Sequence, residues 1–554
     1  MRLKNPLVHG VAVLVCAMVA VLTSASPASA SYTQIEGSGS TWSQIILEQW
    51  ISDVDALGMK MTYNGGGSSQ GRKNFAQYVT DFGISEIPYQ GTDEFGNADT
   101  SNGREFAYMP IVAGGTAFTY QVRVGGQLVK NLRLSGDTIA KVFTNQITNW
   151  NDPAITKDNN GRVLPSLPIT PVVRSDGSGT TAQFTTWLDK QYPSLWRPFF
   201  GRSGLTSYFP RKARAIAAAG SDQVMNTISG SAGNGTIGYI EYSYPVNKHY
   251  PVVKLLNKAG YFVEPTQYNV AVALTRAQIN QDRSSSKYLT QILDGVYTSP
   301  DPRAYPLSSY SYMVLPVGAS DRRMTTSKRQ TLADFMFYSL CEGQSKAGPY
   351  GYSPLPLNLV NAGFSQLAKL HNADPAVDLK DRDATRCNNP TFTKGNLSRN
   401  HLAEIAPMPA ACDKVGAGPC DLVTDTNTPS TDKNAGEATG SAPPSSGGAS
   451  PSGATGAASG PGTIGGGGGS GSVAAPRAST VDPETGQIVG MTADAGTSTG
   501  AGAATYALPT ELTASRPADS GVFGLLAVAE LLAIILVPGL VTLFLRRRSA
   551  GMQP

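Results

Sequence analysis

Arg174-Ser175-Asp176-Gly177-Ser178-Gly179-Thr180-Thr181 is the most informative stretch of this 554-residue chain. It follows an apolar run rich in β-branched residues, 169–173, and precedes Phe184, Trp187 and Leu188 at helical spacing. The order is strand, small-residue loop, helix. The first turn of a helix leaves backbone N–H groups without intrahelical partners and carries the positive end of the helix dipole, so such a junction attracts anions. The hydroxyls of Ser178 and Thr180 add donors, and the glycines admit close approach of the backbone. Arg174, at the end of the strand, offers a planar fork suited to bidentate contact with an oxyanion. Asp176 follows two residues on, near enough to hold that fork in place.

The same design occurs twice upstream. Ser38-Gly39-Ser40-Thr41-Trp42 opens a segment with Trp42, Ile45, Ile46, Trp50 and Val54 at helical spacing, and Gly65-Gly66-Gly67-Ser68-Ser69-Gln70-Gly71 opens another carrying Phe75, Tyr78 and Val79. Ser and Thr cap most helices, so one such loop says little. Three of them, with Arg174 ahead of the third, point to one shared anion. No Lys follows the glycines as in a Walker loop, and 65–71 is not GxGxxG, so a small free anion fits better than a nucleotide.

Strand-like runs at 81–85, 169–173, 236–240 and 310–315 alternate with helical stretches, which predicts α/β layering rather than a sandwich. Lys+Arg 44 against Asp+Glu 40 gives a net charge of +4, but Arg2, Lys4 and Arg546–Arg548 at the two ends account for the excess. The body is therefore nearly neutral and lacks the basic field that nucleic-acid binding requires. The histidines His9, His249, His371 and His401 are scattered, and the cysteine spacings match no zinc pattern, so no metal site is expected. Beyond Cys16, the cysteines are Cys341, Cys387, Cys412 and Cys420, an even number that reads as two disulfides in an oxidising compartment. Four cysteines permit three pairings; nearness in the chain favours Cys341–Cys387 and Cys412–Cys420.

The three loops occur in order with Asp81-Phe82-Gly83-Ile84-Ser85-Glu86 and Ile237-Gly238-Tyr239-Ile240-Glu241-Tyr242, and together they resemble the phosphate-binding proteins of bacterial ABC importers. The resemblance covers roughly residues 33–370 and is most specific at Arg174–Thr180. It implies an α/β, two-lobed periplasmic-binding-protein fold of type II that closes over dehydrated phosphate. Lobe 1 would comprise 31–111 with 303–406 and lobe 2 residues 112–302, joined by two crossing strands. The matching binding positions are Thr41, Trp42 (through its backbone N–H), Ser68, Glu86, Arg174, Asp176, Ser178, Gly179 and Thr180. The implied partners are inorganic phosphate and importer permease subunits, with no cofactor and no catalytic residue. Glu86 departs from the family, which usually has Asp there. That carboxylate accepts a hydrogen bond from the proton on phosphate; Glu keeps the acceptor on a side chain one methylene longer.

The ends of the chain read as targeting segments. Arg2 and Lys4, the apolar stretch 11–22 and Ala28-Ser29-Ala30 form a secretion signal, 1–30, with Cys16 inside the apolar stretch rather than at the cleavage point. Residues 407–520 read as a low-complexity linker: no Phe, Trp or Tyr lies between Phe392 and Tyr506, and no charge between Glu437 and Arg477. Such a composition buries too little apolar surface to offset the entropy of ordering. Residues 521–545 are apolar apart from Glu530 and would span roughly 37 Å as a helix, enough to cross a bilayer. Arg546-Arg547-Arg548 then places the tail, 546–554, in the cytoplasm and the binding domain outside. A surface sensor or adhesin on the same fold, with an altered anion site, is the main alternative function; a phosphatase is weaker, since no histidine lies in a glycine loop.

Overall fold

The structure is a computed structural model, which describes residues 32–420 apart from 283, 284, 286, 385, 386, 394 and 395, together with the short strands Thr480–Val481 and Ile488–Val489. The expected secretion signal, most of the linker, the 521–545 span and the tail lie outside the described residues. Among the described residues, no helix is long and apolar enough to cross a membrane.

Eight strands form the main sheet: β1 (Ile35–Gly39), β2 (Met61–Asn64), β3 (Phe82–Ser85), β4 (Phe106–Tyr120), β5 (Thr170–Arg174), β6 (Ile216–Ala218), β7 (Thr236–Glu241) and β8 (Ser308–Pro316). Their order is β6-β5-β7-β4-β8-β3-β1-β2. The strands read from sequence at 81–85, 169–173, 236–240 and 310–315 are β3, β5, β7 and β8, displaced by two residues at most. The α/β expectation holds.

Strand β4 decides the architecture. Its first part pairs antiparallel with β8, from Phe106↔Pro316 to Gly115↔Ser308, and its end pairs antiparallel with β7, from Thr116↔Glu241 to Tyr120↔Ile237. The change of partner between Gly115 and Thr116 marks the boundary between the lobes. Almost every residue of β4 is buried, so it reads as a continuous apolar run without alternation. Pro110, which has no N–H to give a ladder, sits at a bulge opposite Ser311 and Tyr312, where the sheet tolerates it.

Helices open directly from the strands: α1 (Gln44–Asp55) after β1, α2 (Ser68–Ala76) after β2, α3 (Gly179–Gln191) after β5 and α4 (Gly220–Ser229) after β6. Each strand–helix junction therefore lies at the carboxyl end of a strand, where open α/β sheets bind ligands. Helix α1 buries Ile46, Leu47, Trp50 and Val54, the stripe that the spacing predicts.

Two expected boundaries need correction. Contacts with the strands of lobe 1 resume from Gln267, well before 303. Helix α5 (Gln267–Leu274) packs on β8, β4 and the short helix His401–Ile405. Gln291 Nε2 donates to the carbonyls of Glu86 and Tyr310, both in lobe 1. The second correction concerns residues 407–420, which are not linker but pack on lobe 2. Lys254 Nζ bonds both carboxylate oxygens of Asp413 at 3.0 and 2.9 Å, Arg133 Nη1 donates to the Cys412 carbonyl, and Asn131 Nδ2 donates to that of Cys420. Their low hydrophobicity concealed this docking, because polar contacts and the Cys412–Cys420 disulfide hold them instead of a core. The Cys341–Cys387 disulfide is also present, as chain proximity favours.

The Lys254–Asp413 pair is nearly buried on both sides. Removing one partner of such a pair leaves an uncompensated charge. We expect Lys254→Met to lower stability by about 3 kcal/mol, measured by chemical denaturation.

Candidate functional site

The loop after β1 holds Thr41, the start of α2 holds Ser68, and both face the loop after β5 across the lobe boundary. Ser69 N donates to the Gly177 carbonyl at 3.0 Å, and Gly179 N donates to Ser68 Oγ at 3.1 Å. Thr41 Oγ1 and Ser221 Oγ share a hydrogen bond at 3.0 Å, and Ser221 N also donates to Thr41 Oγ1. The three junctions singled out in the sequence thus meet in one place. A fourth, at Gly220-Ser221, joins them; it repeats the same small-residue helix start after Ala218-Ala219, so the rule that found the other three applies to it as well.

Arg174 is buried, and its guanidinium is gripped by Asp176 as the spacing suggests: Nε donates to Oδ1 at 2.7 Å and Nη2 to Oδ2. Gly220 N also donates to Asp176 Oδ1, at 2.9 Å, and Arg174 Nη1 donates to Ser221 Oγ at 3.3 Å. Burial by itself would push the guanidinium toward neutrality; the charge of Asp176 and its hydrogen bonds outweigh that and raise its pKa above the ordinary value. Burial likewise pushes the Asp176 carboxyl up, but Arg174 and the Gly220 N–H more than offset it and leave it below the ordinary range. Both groups stay charged. The arginine fork is therefore fixed in orientation before any ligand arrives.

Glu86, fully buried at the end of β3, lies among hydroxyls. Ser68 Oγ donates to Oε2 at 2.6 Å, Ser311 Oγ to Oε1 at 2.6 Å, and Ser43 Oγ approaches Oε1 at 3.4 Å. Its backbone carbonyl accepts from Gln183 Nε2 across the boundary at 2.7 Å. The carboxylate reaches Gly179 so closely that a Cβ there would lie 1.9 Å from Oε2. Only glycine fits between the acid of one lobe and the helix start of the other. Ser43, Ser311, Gln183 and Gln291 were not singled out in the sequence. Each is one polar residue among others of its own element, and its partner lies far off in the chain, so no local signal marks it.

Three expected ligand groups are partly occupied within the protein. The Trp42 N–H donates to Ser40 Oγ at 3.0 Å, and Ser178 Oγ caps its own helix by accepting from Thr181 N at 3.1 Å. Gly179 N is the donor to Ser68 already described. Thr180 Oγ1, in contrast, is buried with no hydrogen-bond partner in the protein. Among the described residues, no group of His, Cys, Asp and Glu is arranged to hold a metal ion.

Two lobes sharing one long strand, with anion-directed loops facing each other over the crossing, define a substrate-binding protein of the periplasmic type. The family model described as the PBP superfamily domain matches residues 24–342. The phosphate-binding protein PstS of Methanocaldococcus jannaschii is 31% identical over 342 residues, which are 60% of this chain and 85% of that protein. Phosphate-binding protein PstS 2 of Mycobacterium tuberculosis is 29% identical over 345 residues, 60% of this chain and 86% of that protein. A solved structure of the periplasmic phosphate-binding protein PfluDING with bound phosphate covers 62% of this chain and 99% of its own, at 20% identity and a TM-score of 0.49. The chain belongs to the PstS phosphate-binding protein family of the PBP superfamily, a family of binding proteins rather than enzymes.

A second buried acid lies at the crossing. A Cβ on Gly114 would lie 2.6 Å from Glu241 Oε1 and 2.8 Å from the Trp42 indole, so both side chains press on β4 beside the change of partner. Burial raises the Glu241 carboxyl well above its ordinary value of 4.5; bonds from Ser243 oppose the shift, and the charge of Glu86 adds to it. The folded chain therefore holds a proton that the unfolded chain releases as pH rises past 4.5, and stability falls over the window from there up to the raised value. Glu241→Gln is expected to remove this part of the decline. Thermal melts of both proteins across that window should diverge with increasing pH, the variant being the more stable at the upper end.

Proposed function

We propose that this chain captures inorganic phosphate between its lobes, outside the cytoplasm, and delivers it to the permease subunits of an ABC importer. The observation that carries the reading is the pairing, at one crossing point, of a pre-oriented buried Arg174 with the buried acceptor Glu86. An oxyanion without a proton is served by the arginine and the N–H groups but repelled by the carboxylate. An oxyanion that carries a proton donates it to Glu86 and loses nothing. Phosphate near neutral pH has such a proton, and sulfate has none. The two sides of the cleft thus select a tetrahedral anion with both acceptor and donor character. The names and lengths of the relatives support the same reading.

The proposed contacts are the guanidinium of Arg174, the hydroxyls of Thr41, Ser68, Ser178 and Thr180, and the backbone N–H groups of Trp42 and Gly179. Asp176 would act by holding Arg174. Ligand entry would then exchange the bonds now made by Ser68 and Gly179 within the protein for bonds to the anion, a substitution of partners that leaves few polar groups unsatisfied. Glu86, longer than the family's usual Asp, is accommodated by Gly179 and by the hydroxyls of Ser43 and Ser311.

Calorimetric titration tests the reading. Phosphate and arsenate should bind in the micromolar range or tighter, near −8 kcal/mol, and sulfate at least about a thousandfold more weakly. Arg174→Ala should abolish measurable heat, because it removes the charge and leaves Asp176 buried without its partner. Equal affinities for sulfate and phosphate would eliminate the acceptor role of Glu86.

We further propose that residues 521–545 tether the binding domain to the cell membrane as a single pass, with the low-complexity stretch beyond Cys420 as the connection. A random coil of roughly 100 residues would have a root-mean-square span near 50–60 Å, which would keep the domain within reach of an importer in the same membrane. Cell fractionation with and without residues 521–545 tests this: the truncated chain should move to the soluble fraction, and its retention on the membrane would contradict the tether.

A further inference from the structure

Beside the mouth of the cleft, a hairpin formed by Gly91–Thr92 and Ala98–Asp99 leaves lobe 1 and reaches the loop at 206–208 of lobe 2. Its tip is preorganised: Asp93 Oδ1 accepts from Phe95 N at 2.9 Å and from Asn97 N at 2.7 Å. That turn presents two side chains to the other lobe. Glu94 Oε1 accepts from Thr206 Oγ1 at 3.0 Å and from the Ser207 N–H. Phe95 meets Tyr208 edge to face, with ring centroids 4.9 Å apart at 69°. Phe95 remains 67% exposed, so it is no part of either hydrophobic core, and the stack across the boundary is the contact that accounts for its position.

Both ends of this bridge are bolted to the anion site. At the root, Arg72 of α2 grips Asp99, with Nε to Oδ1 at 3.0 Å and Nη2 to Oδ2 at 2.8 Å. Helix α2 is the one whose first residue is Ser68. At the receiving end, the Ser207 carbonyl accepts from Ser178 N at 3.0 Å, and Thr206 N donates to Thr185 Oγ1 on α3 at 3.0 Å. Separating the lobes therefore requires breaking the Glu94 and Phe95 contacts while the elements behind them stay rigid.

We propose that the hairpin is an interlobe latch: Glu94 and Phe95 are positioning residues that hold the cleft shut and set the rate at which the bound anion leaves. This rests on the reading of the cleft as a phosphate site, and the latch acts on residence time rather than on contact with the anion. Because the latch forms after the ligand has entered, it governs dissociation, while encounter with the open cleft is left nearly unaffected.

Stopped-flow tryptophan fluorescence on the full chain, with inorganic phosphate as the probe, separates the two rate constants. Glu94→Ala and Phe95→Ser should each speed dissociation about five- to tenfold and leave association within about twofold, while Phe95→Tyr, which keeps the ring pair, should release phosphate at the wild-type rate. Phe95 is exposed and Glu94 half-buried, and circular dichroism verifies that the variants fold. Unchanged dissociation in both Glu94→Ala and Phe95→Ser, with phosphate still bound by the wild type, overturns the latch alone. Failure of the wild type to bind phosphate overturns the reading of the site and the latch with it. A weaker association rate with unaltered dissociation also counts against the latch, since it would assign the two residues to the open state.

Discussion

A buried guanidinium is costly unless its charge is matched, and Arg174 meets that condition through Asp176, which also accepts from its Nε and Nη2. The pair does more than neutralise itself. Asp176 also accepts the Gly220 N–H, and Arg174 touches Ser221, which in turn bonds Thr41 in the opposite lobe. One ion pair thus ties the ends of β5 and β6 together and aims them at lobe 1. The carboxylate of Asp176 is so placed that a Cβ on Gly67 would lie 2.7 Å from Oδ2. The glycine-rich loop before α2 is therefore shaped by this pair as well as by its own backbone. Without Asp176, the arginine would have to be held by a ligand that has not yet arrived.

Glu86 is the counterpart on the other side. A full negative charge in the interior is tolerable only with hydrogen-bond donors around it, and Ser68, Ser311 and Ser43 supply them. These donors come from three separate elements of lobe 1, so the acid is fixed to the sheet from several directions. Its proximity to Gly179 makes it one of the points at which the two lobes meet. The arrangement opposes a donor-rich wall to an acceptor, which is how a protein distinguishes anions that differ by one proton.

Much of this was legible beforehand because it is local. A strand followed by a small-residue loop and an amphipathic stripe announces a helix start wherever it occurs, and the Arg174–Asp176 spacing already suggested the grip that is seen. The family resemblance added Glu86, which no periodicity marks. The residues that escaped are those whose role depends on partners far away in the chain. Ser311 lies 225 positions from Glu86, and Gln183 and Gln291 reach its carbonyl from separate segments. The docking of 407–420 escaped for a related reason: hydrophobicity measures what a segment contributes to a core, not the ion pair and carbonyl bonds it makes on a surface. Lys254 and Asp413 are unremarkable apart and nearly buried together.

The sequence by itself determined the elements and their chemistry: strand–loop–helix units with hydroxyl and glycine starts, one arginine with its acid, and two disulfides that chain proximity favours. These follow from short-range stereochemistry and from side-chain type. Only the tertiary structure decided that the units face one another, that β4 changes partner between Gly115 and Thr116, and that the hairpin at 91–99 reaches across to 206–208. Those features depend on which strands lie side by side in the sheet. Strand order is set by the packing of the whole chain, which no local pattern records.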